Sequence, residues 1–175
     1  MTPLKRWLVW LSRIHLCQGF GIQSPADFAF VRTVVNEHSP YYAYDKLQSH
    51  DWLQRKLGRL YLRIANWRQP TTILTDDYQA WFLAGCRSAR IISELGDESL
   101  QLALVKVEQY PLFEQQFYAH SQQQSVVIIE GISRDWPTWH HIERDSHTGT
   151  TFDLYYCGVV LFNTQRYKHN YRINF

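Results

Sequence analysis

The groups best suited to chemistry in this chain are carboxylates that close short apolar runs. Asp76 and Asp77 follow TTILT at residues 71–75, Glu94 follows the RIIS run ending at Ser93, and Glu130 follows SVVII at residues 125–129. A carboxylate on the lip of a sheet can hold a ligand's hydroxyls or take a proton in a reaction. Each also has an ordinary reading. Neighbouring aspartates beside a loop turn the chain or cap a helix, and Glu94 and Glu130 can be plain strand-end charges.

Other polar groupings are less suited to catalysis. His140, His141 and Glu143, with His147 nearby, suggest a metal, but adjacent histidines on a helix point in different directions and no pair at i, i+4 flanks a glutamate. A surface helix and no metal are expected there. Ser24 and Asp27 could belong to a triad, yet the chain has no GxSxG nucleophile elbow, so a hydrolase is not expected.

The elements that must position these groups begin at residues 71–96, which read as strand, helix and strand, the opening unit of a nucleotide-type α/β sheet. Asp97 is expected to cap a helix carrying Leu100, Leu104 and Val107, and Pro111 to restart a Gln-rich helix reaching about His120. The branched run at residues 125–129 reads as a buried parallel strand. Asp135 and Pro137 open a short helix bearing Trp139 and Ile142. Residues 150–156 and 158–162 form two β-rich runs, and residues 171–175 alternate as a terminal edge strand.

Ahead of this unit the periodicity is helical. Leu4, Trp7, Leu8, Leu11 and Ile14 make an apolar stripe with Lys5, Arg6 and Arg13 off it, and Gly19 and Gly21 close that helix. Ser24 and Pro25 start a second helix running to about Asn36, followed by the aromatic connector YYAYDKL. A long third helix over residues 47–67 carries Leu53, Leu57, Leu60, Tyr61 and Ile64 on one stripe, with Arg55, Lys56, Arg59 and Arg63 mostly off it, and ends before Pro70. Residues 1–69 thus read as a helical lid or extension, and residues 70–175 as a shortened sheet domain. Tyr41, Tyr42 and Tyr44 either line a cleft between the two or pack one onto the other.

Composition limits the function classes. At 175 residues and 45% hydrophobic, the chain supports one domain with a proper core and is not a disordered polymer. Residues 1–70 hold ten Lys/Arg against four Asp/Glu, whereas the remainder holds eight against twelve. A basic, aromatic front part admits nucleic-acid binding, but its cations are dispersed, which favours solvated helix faces. Cys17, Cys86 and Cys157 lack ligand spacing and read as free thiols in a reducing compartment. The run WLVWL is too short to span a membrane or serve as a secretion signal, and the protein is expected to be cytoplasmic.

Five segments in order, GFGIQSPADF, YYAYDKL, RLYLRIANWRQPTTIL, TTFDLYYCGVVLFN and HNYRINF, resemble a bacterial branch of class I S-adenosylmethionine-dependent methyltransferases over essentially the whole chain. The resemblance implies a Rossmann-like, mostly parallel, doubly wound sheet with an antiparallel C-terminal hairpin and a helical N-terminal extension. It implies S-adenosylmethionine as the cofactor, with Glu94 accepting hydrogen bonds from its ribose and Glu130 positioning the methyl acceptor or acting as base. Asp76 and Asp77 would replace the acidic partner of the cofactor loop. The chain departs from the family where that loop should be glycine-rich: it reads LTDDYQAW, with no glycine between Thr71 and Ala84. A shortened, non-catalytic binding or regulatory relative with a protein partner is therefore expected, with an active methyltransferase as the alternative and nucleic-acid binding through the front helices as a second. A membrane is not expected as a partner.

Overall fold

The computed structural model describes residues 3–19 and 21–175. Four helices precede the first strand: α1 (Pro3–Ser12), α2 (Pro25–Phe30), α3 (Ala43–Lys46) and α4 (Trp52–Arg68). A 3-10 stretch, Ile14–Gly19, follows α1, and α2 runs on as a π-helical turn, Val31–Val35. Ser24 caps α2 by accepting a hydrogen bond from the Asp27 amide, and the Asp51 carboxylate caps α4 through the amides of Leu53 and Gln54. The long helix therefore starts at Trp52, five residues later than expected, because the Asp51 carboxylate satisfies its first free amides and fixes the start there.

The remaining chain alternates β1 (Thr72–Leu74), α5 (Gln79–Gly85), β2 (Arg90–Ile92), β3 (Leu100–Lys106), α6 (Tyr110–His120), β4 (Ser121–Glu130), α7 (Trp136–Arg144), β5 (Thr150–Asp153), β6 (Cys157–Leu161) and β7 (Asn170–Arg172). The seven strands form one sheet in the order β2-β1-β3-β4-β6-β5-β7. β2, β1, β3 and β4 are parallel, β6 runs antiparallel between β4 and β5, and β7 adds parallel to β5 at the edge. The α/β class, the predominance of parallel pairing and the antiparallel hairpin agree with the expectation from sequence.

Two elements differ in kind: residues 43–46 of the aromatic connector form the short helix α3, and the segment after β2 is a strand. Residues 100–106 are a strand, not a helix capped by Asp97. Leu102 and Leu104 face the layer of α2, α4 and α5, while Ala103 and Val105 face the layer of α6 and α7. Both faces of this strand are buried along residues 102–105, so these four are all apolar and the two-residue period disappears between Gln101 and the exposed Lys106. Leu100, Leu104 and Val107 then match helical spacing by coincidence. β2 is left as a three-residue edge strand, joined to β3 by residues 93–99 without a helix.

Helices cover both faces. α2 and α4 share one continuous core with Ile73, Leu102, Val126, Ile128 and Phe152 of the sheet. The opposite core gathers Phe117 of α6, Trp139 and Ile142 of α7 and the other faces of β3, β4 and β6. α1 differs from the other long helices: Leu4, Trp7, Leu8 and Leu11 are exposed, and the helical segment is tied down by Arg13 just beyond it. The Arg13 guanidinium donates to both oxygens of the fully buried Asp153 carboxylate, at 3.0 and 2.7 Å. Among the described residues no helix is long and apolar enough to cross a membrane. Cys86 and Cys157 are buried free thiols, as expected, whereas the side chain of Cys17 lies outside the described part.

α4 and α5 approach closely at Gly85, where a Cβ would overlap the Leu62 carbonyl oxygen. That approach sets Phe82 against Tyr61, with parallel rings 5.5 Å apart. Gly85→Ala should cost about 1–3 kcal/mol in urea denaturation by forcing the helices apart. Gly96→Ala, where a Cβ meets nothing within 4 Å, should change stability by less than about 0.5 kcal/mol.

Candidate functional site

In an open parallel sheet, ligands bind beyond the carboxyl ends of the strands where the strand order reverses. Here the reversal lies between β1, which continues to β2 on one side, and β3 on its other side. The residues at that place are Thr75 to Tyr78 after β1, Lys106 at the end of β3 and Glu130 at the end of β4, one strand further on.

The four-residue connection from β1 to α5 is held by its own hydrogen bonds. The Thr75 hydroxyl donates to the Asp77 carbonyl at 2.7 Å and accepts from the Asp77 amide at 3.2 Å. Tyr78 then takes a left-handed conformation, φ 57° and ψ 20°, immediately before α5. This region is uncommon for a residue with a side chain and is natural for glycine. The Tyr78 ring packs edge-on against Tyr61, centroids 4.8 Å apart, and Phe82 stacks on Tyr61 with parallel rings.

Across the reversal point, Lys106 Nζ meets Asp77 Oδ2 at 2.9 Å. Both side chains are about half exposed, at 48% and 53%, so the pair adds at most about 1 kcal/mol, but it joins the ends of β1 and β3. The Asp77 hydrogen bond and charge raise the Lys106 pKa and keep the ammonium protonated. Glu130 is held from another side, where the Tyr61 hydroxyl donates to its Oε2 at 2.8 Å.

Burial pushes the Glu130 carboxyl above its ordinary value of 4.5, the Tyr61 hydrogen bond opposing and Asp77 adding to the effect. Burial likewise raises the phenols of Tyr61 and Tyr78 and the thiol of Cys157, which pairs with Glu130 across β4 and β6. Cys157 is therefore a neutral buried thiol and not a nucleophile. The cluster can hold a proton near Glu130; Tyr61, Tyr78 and Cys157 around it are neutral, while Asp77 and Lys106 form an ion pair at its edge.

The structure brings two of the four candidate carboxylates, Asp77 and Glu130, to this cluster. Asp76 is exposed, and only its backbone carbonyl is engaged, by Gln79. Glu94 is exposed in the bend after the edge strand β2 and makes no hydrogen bond or ion pair among the described residues. Tyr61, Tyr78 and Lys106 were not singled out from sequence as site residues. A tyrosine on a buried helical stripe was the available signal for Tyr61, because its hydroxyl requires a partner there; the left-handed backbone at Tyr78 leaves none.

The histidine group behaves as a surface helix. His140 pairs with Glu143 at 2.7 Å, whereas His141 points elsewhere and meets Glu114 of α6 at 2.7 Å. Glu114, His141 and Asp145 could bring three donor atoms within 4.8 Å of one another. The Tyr118 hydroxyl already engages both carboxylates, at 2.9 and 2.7 Å, and His147 engages Asp145 at 2.8 Å.

A separate cavity of about 710 Å³ opens outside α4, lined by Asn36, Tyr41, Tyr44, Arg55, Lys56 and Arg59 among others. This cavity lies among residues of the helical extension and Phe175 and is not a cleft between extension and sheet, while Tyr41 and Tyr44 also cover the small core of Ala43, Leu62 and Trp81. No family model, curated protein or solved structure matches this chain.

Tyr61→Phe should cost about 1–3 kcal/mol in denaturant melts, because the buried carboxylate loses its donor. The raised Glu130 pKa means that the folded protein keeps this proton to higher pH than the unfolded chain. Its contribution to stability is full below 4.5 and is lost as pH rises through the folded value. Relative to wild type, Glu130→Gln should therefore gain stability as pH rises from 4.5 through the folded Glu130 value, measured by urea denaturation.

Proposed function

We propose that this chain is a methyltransferase-like, Rossmann-like domain that acts as a non-catalytic binding or regulatory module. One observation carries the reading: the place where a nucleotide-type cofactor would lie is taken up by the protein's own side chains. Tyr78 occupies the left-handed turn after β1, and its ring meets Tyr61 over the carboxyl ends of the strands. Asp77 and Lys106 bridge the reversal point. A cofactor's methionine moiety needs bare backbone at such a turn, and a tyrosine ring removes that space.

The segment order GFGIQSPADF through HNYRINF supports the relationship, and the antiparallel strand β6 inserted before β5 is consistent with it. The short edge strand β2 and the exposed Glu94 after it support the shortening. The rival reading is an active S-adenosylmethionine-dependent methyltransferase on an oxygen or nitrogen acceptor. It is favoured by the half-buried Glu130, whose raised pKa suits a base. In that reading Glu94 holds the ribose, and Asp76 with Asp77 replaces the acidic part of the cofactor loop.

Calorimetric titration with S-adenosylmethionine and S-adenosylhomocysteine separates the two readings. The expected result is no heat at millimolar ligand from protein that is folded by circular dichroism. Micromolar binding that disappears in Glu94→Ala would overturn the non-catalytic reading and establish the cofactor site.

A further inference from the structure

The outer side of α4 carries a charge arrangement that the cluster at the strand ends does not use. Arg55, Arg59 and Arg63 recur every four residues, so they stand on one face of the helix at intervals of roughly 6 Å along its axis. With Lys56 they put four cations on the wall of the 710 Å³ cavity, against two carboxylates, Glu37 and Asp45. None of the four cations has an ion-pair partner among the described residues.

The cations differ in what holds them. Arg63 is committed to the fold: it donates to the carbonyls of Val34 and Val35 at 2.6 and 3.0 Å and so closes the π-helical turn. Arg55, which also lines the cavity, donates one N–H to the Ser49 carbonyl at 2.8 Å, which orients its guanidinium and leaves other N–H groups to donate elsewhere. Arg59 lies over the Tyr44 ring at 4.6 Å, and its Nε is buried without a partner. Asn36 Nδ2, at the end of the π-helical turn and on the same wall, is also buried without a partner. Two orphaned donors in one cavity are a costly arrangement unless something accepts from them.

Lys56 points the same way. Its ammonium sits 4.0 Å from the Phe175 ring centroid and 5.5 Å from that of Trp52. Burial, with a smaller contribution from Arg63, lowers its pKa to about 8. A bound anion would offset that desolvation.

We propose that this cavity binds a small phosphorylated ligand carrying two or more negative charges, held by Arg55, Lys56 and Arg59 with Asn36 as a neutral donor. Phosphate offers several acceptor oxygens at once and suits the planar fork of arginine. The spacing of successive arginines accommodates a second phosphate better than a lone carboxylate. The cavity falls within the size range of small-molecule sites. The ligand class deepens the binding reading above and rests on it, but the cavity itself lies apart from the Tyr61–Glu130 cluster.

The test is calorimetric titration of the full chain with pyrophosphate and with ADP at low salt. Saturable binding is expected, weakened about tenfold or more in Arg59→Gln and in Arg55→Gln. Arg55 is half-buried, so its variant should stay folded even if Arg59→Gln does not. No heat from folded wild type at millimolar pyrophosphate or ADP would overturn the proposal, and so would equal affinity in wild type and Arg55→Gln. Tighter binding of a single-stranded oligonucleotide than of ADP would replace it with the nucleic-acid reading. S-adenosylmethionine carries no phosphate, so its binding or failure to bind reports on the module reading alone, and the two proposals can fail separately.

Discussion

A carboxylate at the end of β4, largely withdrawn from water, is the constraint from which much of this structure follows. Left alone, a charge on Glu130 held partly out of water would be unfavourable. It is tolerated because burial favours its protonated form and because Tyr61 donates to it from α4. That bond places the middle of α4 at the carboxyl end of the sheet. The close approach at Gly85 then brings α5 alongside, and Phe82, Tyr61 and Tyr78 stack into one aromatic group over the strand ends. At the place that open α/β sheets commonly reserve for a ligand, this aromatic group packs against the core.

The same helix explains the uneven charge of the chain. Its inner face supplies Leu57, Leu60, Tyr61 and Ile64 to the core, so its cations must gather on the outer face. The π-helical turn and the tyrosine connector fold back against that outer face and convert a solvated stripe into the wall of a cavity. Arg63 joins both roles, since its guanidinium satisfies the carbonyls that end the turn while its charge remains beside the cavity. A basic stripe in sequence and a concave basic surface are different objects, and the segment from Val35 to Asp45 makes one into the other.

At the opposite end of the chain, Asp153 ties the termini to the sheet. Its fully buried carboxylate receives Arg13 from the N-terminal segment and the Tyr155 amide, with Arg172 of β7 3.7 Å away. Such pairs contribute little net stability, but loss of one partner strands a buried charge. The N-terminal segment is thus positioned by an ion pair more than by its apolar stripe, most of which faces outward.

Much of the architecture was legible in the order of residues. β1, α5, β2, β4 and the hairpin of β5 and β6 announce themselves through branched runs, caps and turns, and these signals are local. β3 was misread as a helix because a strand buried on both faces has no alternation to show. The pairing of Tyr61 with Glu130 spans 69 residues, and the left-handed backbone at Tyr78 is a conformation tyrosine seldom takes. Neither carries a local signal. By itself the sequence determined the α/β class, the basic front and the missing glycines after the first strand, since each depends on nearby residues alone. Only the tertiary structure decided what fills that place and which cations share a cavity, because both depend on how α4 packs, and packing joins residues that the chain keeps far apart.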